Sequence, residues 1–211
     1  GANVNALIMD FLPRTLWLGL WSVLIAVFIG VPLGFYAGMR SNTGSDYVAS
    51  VLGIVWRAMP NFWLAIMLIF LLGSVFPDWG FDWQTFGVNT GGITGSPDMS
   101  QLGTIDGFLA ATKKVIPAAL VLGSASMGNE MRIGRTAIVE VKNEDYVDLA
   151  KAKGVSDRAL VWKHIFRNAL IPLIPVITAE AFLLIGGAVL IEYVFAINGI
   201  GYVFLQAMMN G

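Results

Sequence analysis

No charged residue occurs between Arg14 and Arg40, and the interval holds Leu16, Trp17, Leu18, Trp21, Val23, Leu24, Ile25, Val27, Phe28 and Ile29. A hydrocarbon layer of about 30 Å is crossed by about 20 apolar residues, each rising about 1.5 Å, so this interval suffices for a spanning helix. The pattern recurs three times. Tyr47 to Phe76 is apolar apart from Arg57, with its densest part from Phe62 to Phe70. Lys114 to Glu130 is shorter and rich in small residues (Ala118, Ala119, Gly123, Ser124, Ala125, Ser126, Gly128), which suits a helix packed tightly on its neighbours. Asn168 to Ile191 carries Pro172 and Pro175 near its start and one acid, Glu180, at its middle. The predicted spans are about 15–39, 47–76, 114–140 and 166–191, within one all-α integral membrane domain over residues 1–211.

Composition excludes much else. With 56% hydrophobic and 13% charged residues, and a mean hydropathy of +0.72, the chain is far from the roughly 25% charged content of soluble domains. A net charge of -1 supplies no field for nucleic acid. The absence of cysteine removes disulfides and thiolate sites, and His164 is the single histidine, so no metal-ligand set is expected. No glycine-rich phosphate loop with its Lys-Ser/Thr occurs, so no ATP site, no bound cofactor and no catalytic role are expected.

Charge placement orients the spans. Residues 132–167 hold eight of the 13 basic residues (Arg132, Arg135, Lys142, Lys151, Lys153, Arg158, Lys163, Arg167), which marks a cytoplasmic loop. Residues of the opposite loop, about 77–112, include Asp78, Asp82, Asp98 and Asp106 but no Lys or Arg, which marks it as external, with Trp79 and Trp83 as interfacial anchors. Lys113 and Lys114 run against this trend. Gly1 to Leu12 then falls outside, so a preceding helix is expected upstream. No basic n-region followed by a cleavage site reads as a signal peptide. Tyr193 to Gly211 is apolar but interrupted by Asn198-Gly199-Ile200-Gly201, and reads as a re-entrant or interfacial segment, with a further span expected beyond it.

Within the basic loop, helical propensity runs from Tyr146 to Lys153, Gly154 stops it, and Ser156 is placed to cap the next helix with Asp157 in its first turn. Small Ala150 and Ala152 beside the turn would let another surface approach closely. The element is a knob suited to a partner's groove.

These residues resemble a known family. Asp148-Leu149-Ala150-Lys151-Ala152-Lys153-Gly154 stands in register with the Glu-Ala-Ala-x-x-x-Gly signature of permease subunits of binding-protein-dependent ABC importers. Asp145-Tyr146-Val147, Ala152-Lys153-Gly154 and His164 to Pro172 resemble its dipeptide, oligopeptide and nickel class. Further matches are Leu12 to Leu16, Gly30 to Gly34, Pro60 to Trp63, and Glu192 to Phe195 followed by Gly199-Ile200-Gly201. Asp148-Leu149 replaces the general Glu-Ala, and His164 to Arg167 replaces Ile-x-Leu-Pro; both departures fit the peptide class. The resemblance implies a type I permease bundle with six spans, of which four are expected here, the chain being cut at both ends.

It further implies that Asp145, Tyr146, Asp148, Ala150, Lys151, Ala152, Lys153, Gly154, Val155 and Ser156 couple to an ATPase subunit. Other implied partners are a second permease subunit, like or unlike this one, an extracytoplasmic solute-binding protein, and membrane lipid. A di- or oligopeptide is the family's commonest cargo, with nickel and oligosaccharides on close relatives. Candidates for the translocation path are Arg57, Asn61 and Glu180. Counted along unbroken helices, Arg57 and Glu180 sit at similar depth, and intramembrane charges are functional candidates. They either pair or both line the path; alternatively Arg57 snorkels to the cytoplasmic surface and Glu180 is hydrogen-bonded within the bundle. An ion-gradient transporter or channel would want inverted repeats and midplane relays, and neither is found. A structural scaffold would not need a glycine-broken cytoplasmic helix pair.

Overall fold

The computed structural model describes residues 4–186 and 188–210; among them the regular elements are all helices, with no strand, and residues 79–104 form a long irregular loop. The helices are α1 (Asn5–Met39), α2 (Gly44–Ala58), α3 (Asn61–Asp78), α4 (Ile105–Lys142), α5 (Asp145–Ala152), α6 (Asp157–Ala169), α7 (Leu173–Gly186), α8 (Val189–Val194) and α9 (Ile200–Asn210). By length and apolarity α1 and α3 can each cross a membrane, and α6 with α7, bent by 51°, adds a third crossing if the pair is one span.

The predicted spans differ from these helices in four places. α1 starts ten residues before position 15, because Pro13 lies inside a helix that continues through it. The expected unbroken span 47–76 is divided: Pro60 is extended (φ -63°, ψ 130°), lacks an N–H, and disfavours helical backbone at Met59. Arg57 therefore lies in the last turn of α2, and its depth cannot be counted along one continuous helix. α4, at 38 residues, absorbs the whole of the predicted 114–140 span together with the ends of both flanking loops. The predicted 166–191 span is broken at residues 170–172, ahead of α7, and again between α7 and α8; Gly187 lies outside the described residues. So do Gly1, Ala2 and Asn3 of the expected external N-terminal stretch, and Gly211.

Two of the long helices pass through π-helical turns, Ala26–Gly30 in α1 and Leu71–Val75 in α3, just ahead of Pro32 and Pro77. A proline ring clashes with the carbonyl four residues back, and a widened turn relieves that clash without ending the helix.

The chain divides into two compact units, one of Gly1–Val23, Met59–Gly123 and Ala181–Gly211, the other of Leu24–Ala58 and Ser124–Glu180. In the first, Trp17, Trp21 and Phe108 pack edge to face, and Gly123 lies against the backbone carbonyl of Ser22. In the second, α1 meets α4 along Gly30, Gly34 and Gly38. A Cβ at Gly34 would lie 2.5 Å from the Met131 carbonyl oxygen and one at Gly38 would lie 2.6 Å from Ile138 Cβ, so the two backbones touch where only glycine fits. Below this contact Ala137, Ile138, Val147, Ala150, Leu160, Ile165 and Ala169 form one core, with Phe35 stacked on Trp162 and edge-on to Phe166. Large apolar side chains such as Phe28, Ile54, Phe182 and Leu183 remain exposed, more apolar surface than a water-facing chain leaves uncovered.

Candidate functional sites

α5 is seated on one face. Val147 and Ala150 are buried in the core just described, whereas Tyr146, Asp148, Leu149, Lys151, Ala152 and Lys153 are exposed. The close-approach surface expected at Ala150 is therefore not there: Ala150 points inward, and the ridge facing out is Ala152 with the apolar Leu149, 55% exposed, which the sequence reading passed over. The helix ends in a paired reverse turn, with Gly154 N–H donating to the Lys151 carbonyl at 2.9 Å and Val155 N–H to the Ala150 carbonyl at 3.2 Å. Gly154 adopts φ +76° in open space, so the backbone conformation and not crowding demands glycine.

Ser156 occupies the N-cap of α6, but its hydroxyl makes no capping bond; its carbonyl accepts from Leu160 N–H at 2.9 Å. α5 and α6 are tied instead by Asn168, whose Nδ2 donates to the Tyr146 hydroxyl at 2.9 Å and to the His164 carbonyl at 2.8 Å. His164 thus serves the junction through its backbone. Asp145 and Asp148 lie in the first turn of α5, where the helix dipole favours them, and Asp148 pairs with Lys151 at 2.8 Å in water.

Arg57 and Glu180 form no direct ion pair. Arg57 Nη1 donates to Asn129 Oδ1 at 3.3 Å, and the Nδ2 of the same amide donates to Glu180 Oε1. Arg132 Nη2 donates to that amide oxygen too, at 3.1 Å. Arg57, Arg132 and Arg135 line a cavity of about 680 Å³ between α2 and α4, to which Glu180 and Asn61 do not contribute. Arg135 is already matched: Nε and Nη2 donate to the two carboxylate oxygens of Asp46 at 2.5 and 2.6 Å. That guanidinium, helped by the Asn42 backbone N–H, holds the Asp46 carboxyl down at about 2. The partners of Asp46 and Arg135 stand 89 positions apart, and Asn129 is uncharged, so no local pattern announced either.

The first unit has its own polar centre. Glu192, fully buried, accepts from the Thr15 hydroxyl at 2.7 Å and from the Tyr202 N–H at 2.9 Å, while Thr15 Oγ1 accepts from Ile200 N–H at 2.9 Å. The carboxylate and the threonine thereby serve the start of α9, whose orphan N–H groups need acceptors. A Cβ at Gly199 would lie 2.5 Å from the carboxylate. The stretches around Thr15, Glu192 and Gly199-Ile200-Gly201 are thus one hydrogen-bonded device.

Lys113 and Lys114 also find their reason. Lys113 Nζ donates to the carbonyls of Gln84, Phe86 and Val88 at 3.0, 2.6 and 2.5 Å, and Lys114 Nζ to those of Thr90 and Gly92 at 3.0 and 3.1 Å. Burial pushes the Lys113 ammonium below its usual range. The two lysines hold a loop that has no secondary structure of its own. Among the described residues no group of three or more His, Cys, Asp or Glu could hold a metal ion.

Residues 30–211 match the family described as the binding-protein-dependent transport system inner membrane component. The chain is 33% identical over 207 residues to the oligopeptide transport system permease protein AppB of Bacillus subtilis (strain 168), covering 98% of this chain and 61% of that protein. It is 31% identical over 210 residues to the dipeptide transport system permease protein DppB of Escherichia coli (strain K12), covering 95% and 62%. The chain thus spans about three fifths of the length of these relatives. A crystal structure of an amino acid ABC transporter with histidines shares the fold, with a TM-score of 0.56 at 15% identity over 99% of this chain and 81% of that one. The chain belongs to the binding-protein-dependent permease family, an all-α, multi-pass component of the cell membrane.

Proposed function

We propose that this chain is the transmembrane subunit of an ATP-driven importer, forming part of the path for a di- or oligopeptide and coupling to separate ATPase subunits through Asp145 to Ser156. The observation that carries the reading is α5, a helix anchored by Val147 and Ala150 with its ridge of Tyr146, Leu149, Ala152 and Lys153 turned outward. An apolar side chain as exposed as Leu149, beside charges and next to a glycine turn, suits a groove on a partner that closes with nucleotide. The names of the relatives, oligopeptide and dipeptide permease, supply the cargo class. In this reading ATP and its hydrolysis belong to the partners, this chain holds no cofactor, a second permease subunit completes the path, and a solute-binding protein delivers cargo from outside.

The test is cross-linking and turnover in the complete transporter. Leu149→Cys should form a disulfide with a cysteine placed in the ATPase groove, in one nucleotide state more than in the other. Gly154→Pro should leave membrane insertion intact and abolish solute-stimulated ATP hydrolysis. Full stimulation in that variant would refute the coupling role.

A further inference from the structure

Arg57 on α2 and Arg132 on α4 both donate to one neutral acceptor, the Asn129 amide oxygen, at 3.3 and 3.1 Å. Among the described residues neither has a carboxylate at ion-pair distance; the pairs formed are Arg135 with Asp46 and Lys151 with Asp148. Each guanidinium carries five N–H donors in a planar fork, so a single shared oxygen leaves most of them without a protein acceptor. Both arginines are exposed and both line the 680 Å³ cavity, a volume within the range of about 300–1,000 Å³ typical of small-molecule sites.

The rest of the wall selects for charge. It carries Ser50, Thr136, whose hydroxyl donates to the Arg132 carbonyl, and the apolar Ile54, Ala58 and Met131, and no acidic residue. Asp46 is occupied by Arg135, and Glu180 lies behind Asn129, on the amide nitrogen. A cation entering would meet only positive charge. A planar oxyanion would accept from both forks at once and turn their mutual repulsion into attraction.

We propose that this cavity is an oxyanion subsite that takes the terminal carboxylate of the solute in transit, with Arg57 and Arg132 as its ligands. The proposal rests on the permease reading above. A phospholipid headgroup and inorganic phosphate offer related oxyanions from other sources.

The test uses the complete transporter, with both permease subunits and the ATPases but without the binding protein, in phosphatidylcholine nanodiscs. The probes are tritiated trialanine and its C-terminal amide. The acid should bind at least ten-fold more tightly than the amide, and Arg57→Gln with Arg132→Gln should remove that preference while Arg57→Lys with Arg132→Lys keeps part of it. Equal binding of acid and amide to the unaltered transporter would overturn the proposal without any variant. So would an acid preference that vanishes only when phosphatidylglycerol is present, or phosphate binding that depends on both arginines while trialanine binding does not. The two readings fail separately: loss of ATP-driven uptake by the unaltered transporter with its binding protein sinks the permease reading. Normal uptake with binding indifferent to the arginines sinks only the subsite.

Discussion

Asp46, 1% exposed, receives both arms of the Arg135 guanidinium, so the first turn of α2 is clamped to α4 by a two-pronged ion pair. The carboxyl titrates at about 2 in the fold against an ordinary 3.8. A depressed acid contributes stability above its unfolded value and loses it as pH falls toward its folded value. The contribution is therefore nearly full above about pH 4 and is lost progressively as pH falls through about 2. Because Arg135 is 30% exposed and water screens the pair, about 1–2 kcal/mol is expected. In detergent, Asp46→Asn should unfold more readily than the parent at neutral pH, and the gap should close across that acid window. An equal gap at both ends would show that the clamp does not titrate.

Thr15→Val removes one hydroxyl but orphans two groups, the Ile200 N–H and one oxygen of Glu192. A buried group left unpaired costs about 1–3 kcal/mol. Glu192→Gln should cost about as much, and the double variant less than the sum, since the two share partners. Thermal unfolding of the four proteins measures the coupling; strict additivity would contradict the network.

Lys113→Met deletes three hydrogen bonds to carbonyls of one loop while leaving its apolar stem. Limited proteolysis should then cut between Gln84 and Gly92 several-fold faster, with little change in the rest of the chain. Lys113→Arg should not restore protection, because a planar fork cannot point three donors at three converging carbonyls as an ammonium does.

Gly34→Leu places a branched side chain where a Cβ already meets the Met131 carbonyl at 2.5 Å. Forced separation of α1 from α4 should cost roughly 1–3 kcal/mol or more, as overpacking does. A cysteine pair on facing turns of the two helices would report it as slower disulfide formation. Gly44→Ala, where a Cβ meets nothing within 4 Å, is the control.

Much of this was legible in the chain, and the reasons for the rest are physical. Spans without charge and a loop crowded with Lys and Arg announce themselves because burial of charge in hydrocarbon is so costly. The α5 turn was legible because Gly154 satisfies a left-handed backbone that few other residues tolerate. What sequence order conceals is partnership at a distance: Thr15 and Glu192 are 177 positions apart, and their hydrogen bond has no period to betray it. Pro60 was visible but misjudged, since a proline passes inside a helix at Pro13 and breaks one here, and only packing decides which. Lys113 and Lys114 looked like exceptions to a charge rule because their partners are backbone carbonyls, which every residue has.

The amide of Asn129 faces opposite charges with its two ends, oxygen toward the guanidiniums and nitrogen toward Glu180. Turning it over would set donors against donors and oxygen against carboxylate, so its orientation is locked by its surroundings. It acts as an insulating spacer one amide thick, keeping plus and minus from cancelling. Asn129→Asp would short that gap, and the arginines would spend their charge on the protein itself.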